Sequence, residues 1–153
     1  MYDIPESIVM DALNKAIDVL IERHRELGME ATGEWISSLE ARAGHNSGEI
    51  WGAHYTEQLV FGRGPGNRPP IAPLERWAKA KFGVSGKEAT SMAFAVANKI
   101  ASEGTTWHQK GGSDLLEVFE DPKVVETFFY QIGAYLTMTV ADELTRSLKE
   151  LAA

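Results

Sequence analysis

The chain contains no cysteine. Disulfide frameworks, thiolate zinc sites and cysteine nucleophiles are therefore excluded. It also lacks a basic excess: 15 Lys and Arg stand against 22 Asp and Glu, a formal net charge of −7. Nucleic-acid modules usually present a net basic face, so gripping phosphate backbones is not the expected task. An acidic wall that faces DNA without holding it is compatible with this charge. No run approaches 18 apolar residues, so no membrane-spanning helix is expected. The opening stretch "MYDIPESIVMDALNKAIDVL" has no basic region followed by an unbroken apolar run and does not read as a signal peptide. A soluble chain made in the cytoplasm is the expectation. Internal repeats and low-complexity tails are missing too. What is present is ordinary globular composition, 44% hydrophobic and 24% charged over 153 residues, enough for one domain with its own core.

Helical periodicity dominates. Over residues 5–27, Ile8/Val9, Ala12/Leu13, Ala16/Ile17 and Leu20/Ile21 recur every four positions, with Pro5 suited to the first turn and Gly28 to the stop. From Ser37 the pattern alternates instead. Leu39, Ala41 and Ala43 take one face, Ser38, Glu40 and Arg42 the other; "GHNSG" supplies a turn and "EIWGA" a return strand. A helical turn near Thr32 precedes this hairpin, and the pattern places Trp35 and Trp51 on its two arms. "HYTEQLVFG" reads as a short helix. Pro73 opens a helix with Leu74, Trp77, Ala78 and Phe82 at helical spacing, ended by Gly83. Ser85 and Glu88 have capping-box spacing ahead of an alanine-rich helix that runs to about Glu103. "GTTWHQKGG" reads as a loop and "SDLLEVFE" as a short helix. Asp121 and Pro122 then open a last helix reaching about Leu151, roughly 45 Å long. Its stripe includes Val125, Phe128, Ile132, Leu136, Val140, Leu144 and Leu148, more than so small a domain can cover, so a partner surface is expected. The expected fold is α+β: a mostly helical single domain, residues 1–153, with a small antiparallel β-hairpin and a long C-terminal helix. Its parts are an N-terminal helix over 1–28, a core over 31–120 and the last helix over 121–151.

Few patterns carry chemistry. His24, His45, His54 and His108 show no H-x-x-x-H or H-E-x-x-H spacing and read as surface histidines, although in the hairpin reading His45 and His54 could approach each other, with Glu49 or Glu57 near. No G-x-S-x-G elbow is present. Asp and Glu are plentiful, but no pair is marked out by an apolar setting, so a muramidase-like cell-wall hydrolase is the enzyme alternative. No cofactor is expected. "FGRGPGNRPP", Phe61 to Pro70, looks at first like a phosphate-cradling loop. Such loops run straight into a helix N-terminus. Here Pro69 and Pro70 offer no N–H and hold the chain extended. The stretch reads as a tight turn and stiff connector that costs little entropy to dock, with Arg63 and Arg68 as anchors for a carboxylate-bearing partner. Trp77 reads as core, whereas Trp107, placed in a loop, is the best aromatic candidate for an exposed contact.

The ordered segments "ATGEWISSLE", "GEIWGAHYTEQLVFGRGPGNRPPIAPLERWAKAKFGV" and "EATSMAFAVANKIASEGT" resemble the tail-completion or neck proteins of tailed bacteriophages. The likeness rests on Tyr55, Leu59, Gly62, Arg63, Pro65, Gly66, Pro69, Pro70, Leu74 and Trp77, and on Ile100, Glu103, Gly104 and Thr105. It covers about residues 31–120; the first and last helices match only as generic amphipathic helices. The resemblance implies a non-enzymatic virion structural protein at the head–tail junction, in the tail or neck. It implies a homo-oligomeric ring, six-fold rather than twelve-fold, that meets a tail terminator, tail tube or head-completion protein. A tail terminator or minor tail component is the nearest alternative role. Sequence-specific nucleic-acid binding and membrane contact are not expected. The partner-interface candidates are Tyr55, Gly62, Arg63, Gly64, Pro65, Gly66, Arg68, Pro69, Pro70 and Trp107.

Overall fold

Helix α1 spans Glu6–Glu26 and buries Val9, Ala12, Ala16 and Leu20 along the expected stripe. The computed structural model describes residues 2–152. His24 extends the same stripe by one more step of four and is 3% exposed, so it is no surface histidine. The helix ends in a Schellman motif. Met29 N–H donates to the His24 carbonyl and Gly28 N–H to that of Arg25, with Gly28 at φ +67°.

The remaining elements are α2 (Glu34–Ser38), β1 (Glu40–Gly44), β2 (Ser47–Trp51), α3 (Thr56–Phe61), α4 (Ile71–Phe82), α5 (Gly86–Glu103), α6 (Thr106–Gln109), a 3₁₀ turn (Glu117–Glu120) and α7 (Pro122–Leu151). The chain is thus mostly helical, with one two-stranded antiparallel sheet and a long final helix, as the periodicities imply. Its contacts gather into two compact units. One takes residues 1–20, 39–51 and 118–153; the other takes 21–38 and 52–117.

In the first unit, β1 and β2 pair Glu40 with Trp51, Arg42 with Glu49 and Gly44 with Ser47. Asn46, in the turn, has φ +51°, and its side-chain oxygen accepts the Ile4 N–H at 2.8 Å. Gly48 lets the hairpin approach α1: a Cβ there would stand 2.9 Å from both Val9 and Leu13 methyls. On the outer face Arg42 is bidentate to Glu40 and lies 4.4 Å over the Trp51 ring, whose N–H donates to Glu49. The Arg42 guanidinium holds the Glu40 carboxyl below the usual carboxylate range. Helix α7 starts as expected, with Asp121 Oδ1 accepting the Lys123 N–H and Pro122 at the first helical position. Phe128 is buried against Phe119, and the Tyr135 hydroxyl donates to the Asp3 carbonyl. Beyond Val140 every residue of α7 to Leu151 is exposed.

In the second unit, α4 and α5 pack together through Ala78, Ala89, Ala93 and Ala97, all at 0% exposure. Steps of four between the α5 alanines form a ridge low enough for close approach. Ser85 occupies the N-cap, yet its side chain makes no cap hydrogen bond. Gly86 at φ +55° bends the entry off the path that a capping box requires. Three other expectations are corrected here. The strand begins at Glu40, not Ser37, because Ser37 and Ser38 hydroxyls donate back to the Glu34 and Trp35 carbonyls and hold the segment as α2. Trp35 therefore belongs to α2, not to a hairpin arm. It stacks on His24 at 4.4 Å and donates its N–H to Thr56 Oγ1. The 113–120 segment is a turn followed by a 3₁₀ turn, not an α-helix.

Burial lowers the His24 pKa below its usual value, with Glu30 opposing and Arg25 and Lys81 adding to the effect; Nδ1 is buried and has no hydrogen-bond partner among the described residues. A lowered folded pKa means that the unfolded chain binds the proton first. Stability is then full above the unfolded histidine's pKa of about 6.5 and declines as pH falls below it, until the folded form also protonates. Denaturant unfolding at pH 7.5 and 5.5 should show a loss in the wild type that shrinks in His24→Phe, which keeps a ring on Trp35. Equal losses in both chains would contradict the burial account.

Candidate functional site

The two sequence blocks on which the resemblance rests meet in space. Helices α3 and α5 end alike. Gly62 N–H caps the Gln58 carbonyl at φ +75°, ψ −177°; Gly104 N–H caps that of Ile100 at φ +79°, ψ −178°. This backbone region is open essentially to glycine alone. Each glycine turns the chain so that the residues after it bind each other. Thr105 Oγ1 accepts the Arg63 N–H at 2.9 Å, and the Arg63 carbonyl accepts the Thr105 N–H at 2.8 Å, across 42 positions of sequence. Thr105 also caps α6, its hydroxyl oxygen accepting the His108 N–H. Gly66 N–H donates to the Ala101 carbonyl, so the loop is pinned at a second point.

Close approach adds a second requirement at Gly62 and Gly104 and explains Gly64. A Cβ on Gly62 would meet His108 N at 2.2 Å, and one on Gly104 the Arg63 carbonyl at 2.8 Å. A Cβ on Gly64 would press on the His108 ring at 3.2 Å. Ser113 closes the end of α3: its N–H donates to the Val60 carbonyl and its hydroxyl to that of Leu59. The terminal carbonyls of Gln58, Leu59 and Val60 in α3 and of Ile100 and Ala101 in α5 thus accept from protein groups.

Most of the sequence-predicted candidates come together here. Gly62, Arg63, Gly64, Pro65, Gly66, Arg68, Pro69 and Pro70 form the loop itself, and α6 carries Trp107 beside it. Pro65, Gly66, Arg68 and Pro70 are exposed, whereas Pro69 is buried and anchors the loop inward. Arg63 folds back, one guanidinium N–H donating to the Asn67 carbonyl at 3.0 Å. Trp107 lies in a one-turn helix rather than a loop and is half-buried, with the Lys110 ammonium 5.5 Å from its ring centre. Tyr55 stands at the other end of α3, half-buried, in edge contact with His54; burial first, then Glu34, raises its phenol pKa. The sequence reading missed Thr105 as the hinge pin and His108 and Ser113 as its supports. Thr105 had a readable signal, a helix-capping residue directly after a stop glycine.

The histidine reading does not yield a metal centre. His45 Nε2 lies 3.3 Å from Asp3, and His54 packs on Tyr55. Among the described residues no three His, Asp or Glu side chains converge as ligands. No helix is long and apolar enough to cross a membrane among the described residues. In comparisons with known protein families, curated proteins and solved structures, nothing matches this chain.

The joint makes a sign test possible. Gly62→Ala should cost about 3 kcal/mol or more, from backbone strain plus collision with a rigid main-chain nitrogen. Gly133→Ala, inside α7 with open space around it, should stabilise by up to about 1 kcal/mol. Urea unfolding measures both; equal effects would contradict the geometry.

Proposed function

We propose that this chain is a virion structural protein of the head–tail junction of a tailed bacteriophage. It is a ring-forming tail-completion or head–tail connector subunit that joins tail to capsid and surrounds the DNA conduit. It works by assembly rather than catalysis. The supporting observation is the joint. The glycine-arginine-proline block and the E-G-T helix end, which carry the resemblance, are stitched into one rigid element that leaves Pro65, Arg68 and Pro70 exposed. A surface ordered in advance loses little entropy on docking, which suits a part that repeats around a ring. The ring is six-fold rather than twelve-fold, and its neighbours are other neck or tail proteins. The virion is its final location, after synthesis in the host cytoplasm.

Arg63→Ala tests the reading in a complementation assay scored for tail joining. Its clasp on Asn67 contributes about 1 kcal/mol, so the variant should stay folded. Infectious yield should nevertheless fall at least about tenfold, the equivalent of about 1.4 kcal/mol at the contact. Wild-type yield with wild-type particle mass would refute the placement of this loop at a working contact.

A further inference from the structure

The formal charge is divided unevenly. The unit of residues 1–20, 39–51 and 118–153 carries twelve Asp and Glu against five Lys and Arg, which is the whole net charge of −7. The other unit carries ten against ten. Within that balanced unit, the loop carries Arg63 and Arg68, and the one-turn helix stitched to it carries His108 and is followed by Lys110. The same surface offers apolar area: Phe61, directly before Gly62, is 61% exposed, and Pro65 and Pro70 are exposed beside the cations.

The acidic unit presents a surface of complementary charge. Leu144, Leu148 and Leu151 of α7 are 60%, 65% and 85% exposed and fall on one side of the helix. Glu143 and Glu150, two turns apart, line one flank of that stripe; Asp142, Arg146 and Lys149 lie round the other side. One surface is apolar with an acidic flank, the other apolar with cations.

We infer that the exposed end of α7 in one copy of this chain docks on the arginine-bearing joint of a second copy, head to tail. Such a contact uses two different surfaces, so each copy retains one of each for the next neighbour, the head-to-tail arrangement from which a ring is built when the rotation between copies closes. Both surfaces are ordered before they meet, one a helix and the other a pinned loop. The inference rests on the head–tail reading and supplies the contact that reading leaves unspecified.

Charge reversal in sedimentation velocity tests it on the full chain. One variant is Arg68→Glu with Lys110→Glu; the other is Glu143→Lys with Glu150→Lys. Each alone should self-associate at least about tenfold more weakly than wild type, and an equal mixture should recover association because intact or mutually reversed surfaces then face each other. Wild-type association should weaken as salt rises. If a reversal variant loses its helical spectrum, the corresponding Gln pairs should show a smaller loss in the same direction. Three results overturn the contact: a wild type that stays monomeric, variants that associate normally, or losses that mixing does not restore. A monomeric wild type that binds duplex DNA through Arg68 and Lys110 overturns it in favour of phosphate recognition. Complementation separates the two claims. Undisturbed assembly in chains that fail to join tails removes this contact and keeps the junction. Swap-restored assembly in a chain dispensable for tail joining does the reverse.

Discussion

The exchange between Arg63 and Thr105 governs the second unit. It requires Gly62 and Gly104 to end two helices in the same glycine-only conformation, and it fixes where α6 starts, because Thr105 is also the α6 cap. One hydroxyl oxygen accepting two N–H groups ties three helix ends together. The loop from Gly64 to Pro70 gains its stiffness from these ties as much as from its prolines. Pinning at Gly66 and the inward side chain of Pro69 leave Arg68 and Pro70 on a surface with little freedom to lose.

How much of this was legible in the sequence depends on range. The stripe of α1, the alanine ridge of α5, the start of α7 at Asp121 and Pro122, and the stop glycines are local signals, and the structure follows them. Where two local signals competed, the reading slipped. Ser37 and Ser38 fit an alternating strand, but their hydroxyls bond back to carbonyls three residues earlier and keep one more turn of helix. Trp107 sits in a helix too short to show periodicity. The joint itself was not readable, since nothing in a linear pattern says that residues 42 apart exchange hydrogen bonds. The burial of His24 was readable from its spacing to Leu20; its chemical type argued for the surface, and its place on the stripe decided otherwise.

The first unit follows a different logic. Its hairpin is fastened to α1 through the missing side chain of Gly48, and its outer face satisfies itself through Arg42, Glu40, Glu49 and Trp51. Helix α7 does neither. Phe128 is buried, the stripe is half-covered to Val140, and from there Leu144, Leu148 and Leu151 continue the pattern exposed. A helix this long carries apolar side chains past what its own unit buries. A partner surface is the physical reason to keep them. Concentrating the negative charge in the same unit gives that partner a sign.

The central claim is closed self-assembly, and native mass spectrometry across ionic strength tests it most directly. The account predicts one dominant closed species at low salt, six subunits of 16.8 kDa or roughly 101 kDa, shifting toward monomer as salt screens the contact. A chain that remains at the monomer mass at every protein concentration and ionic strength would contradict it.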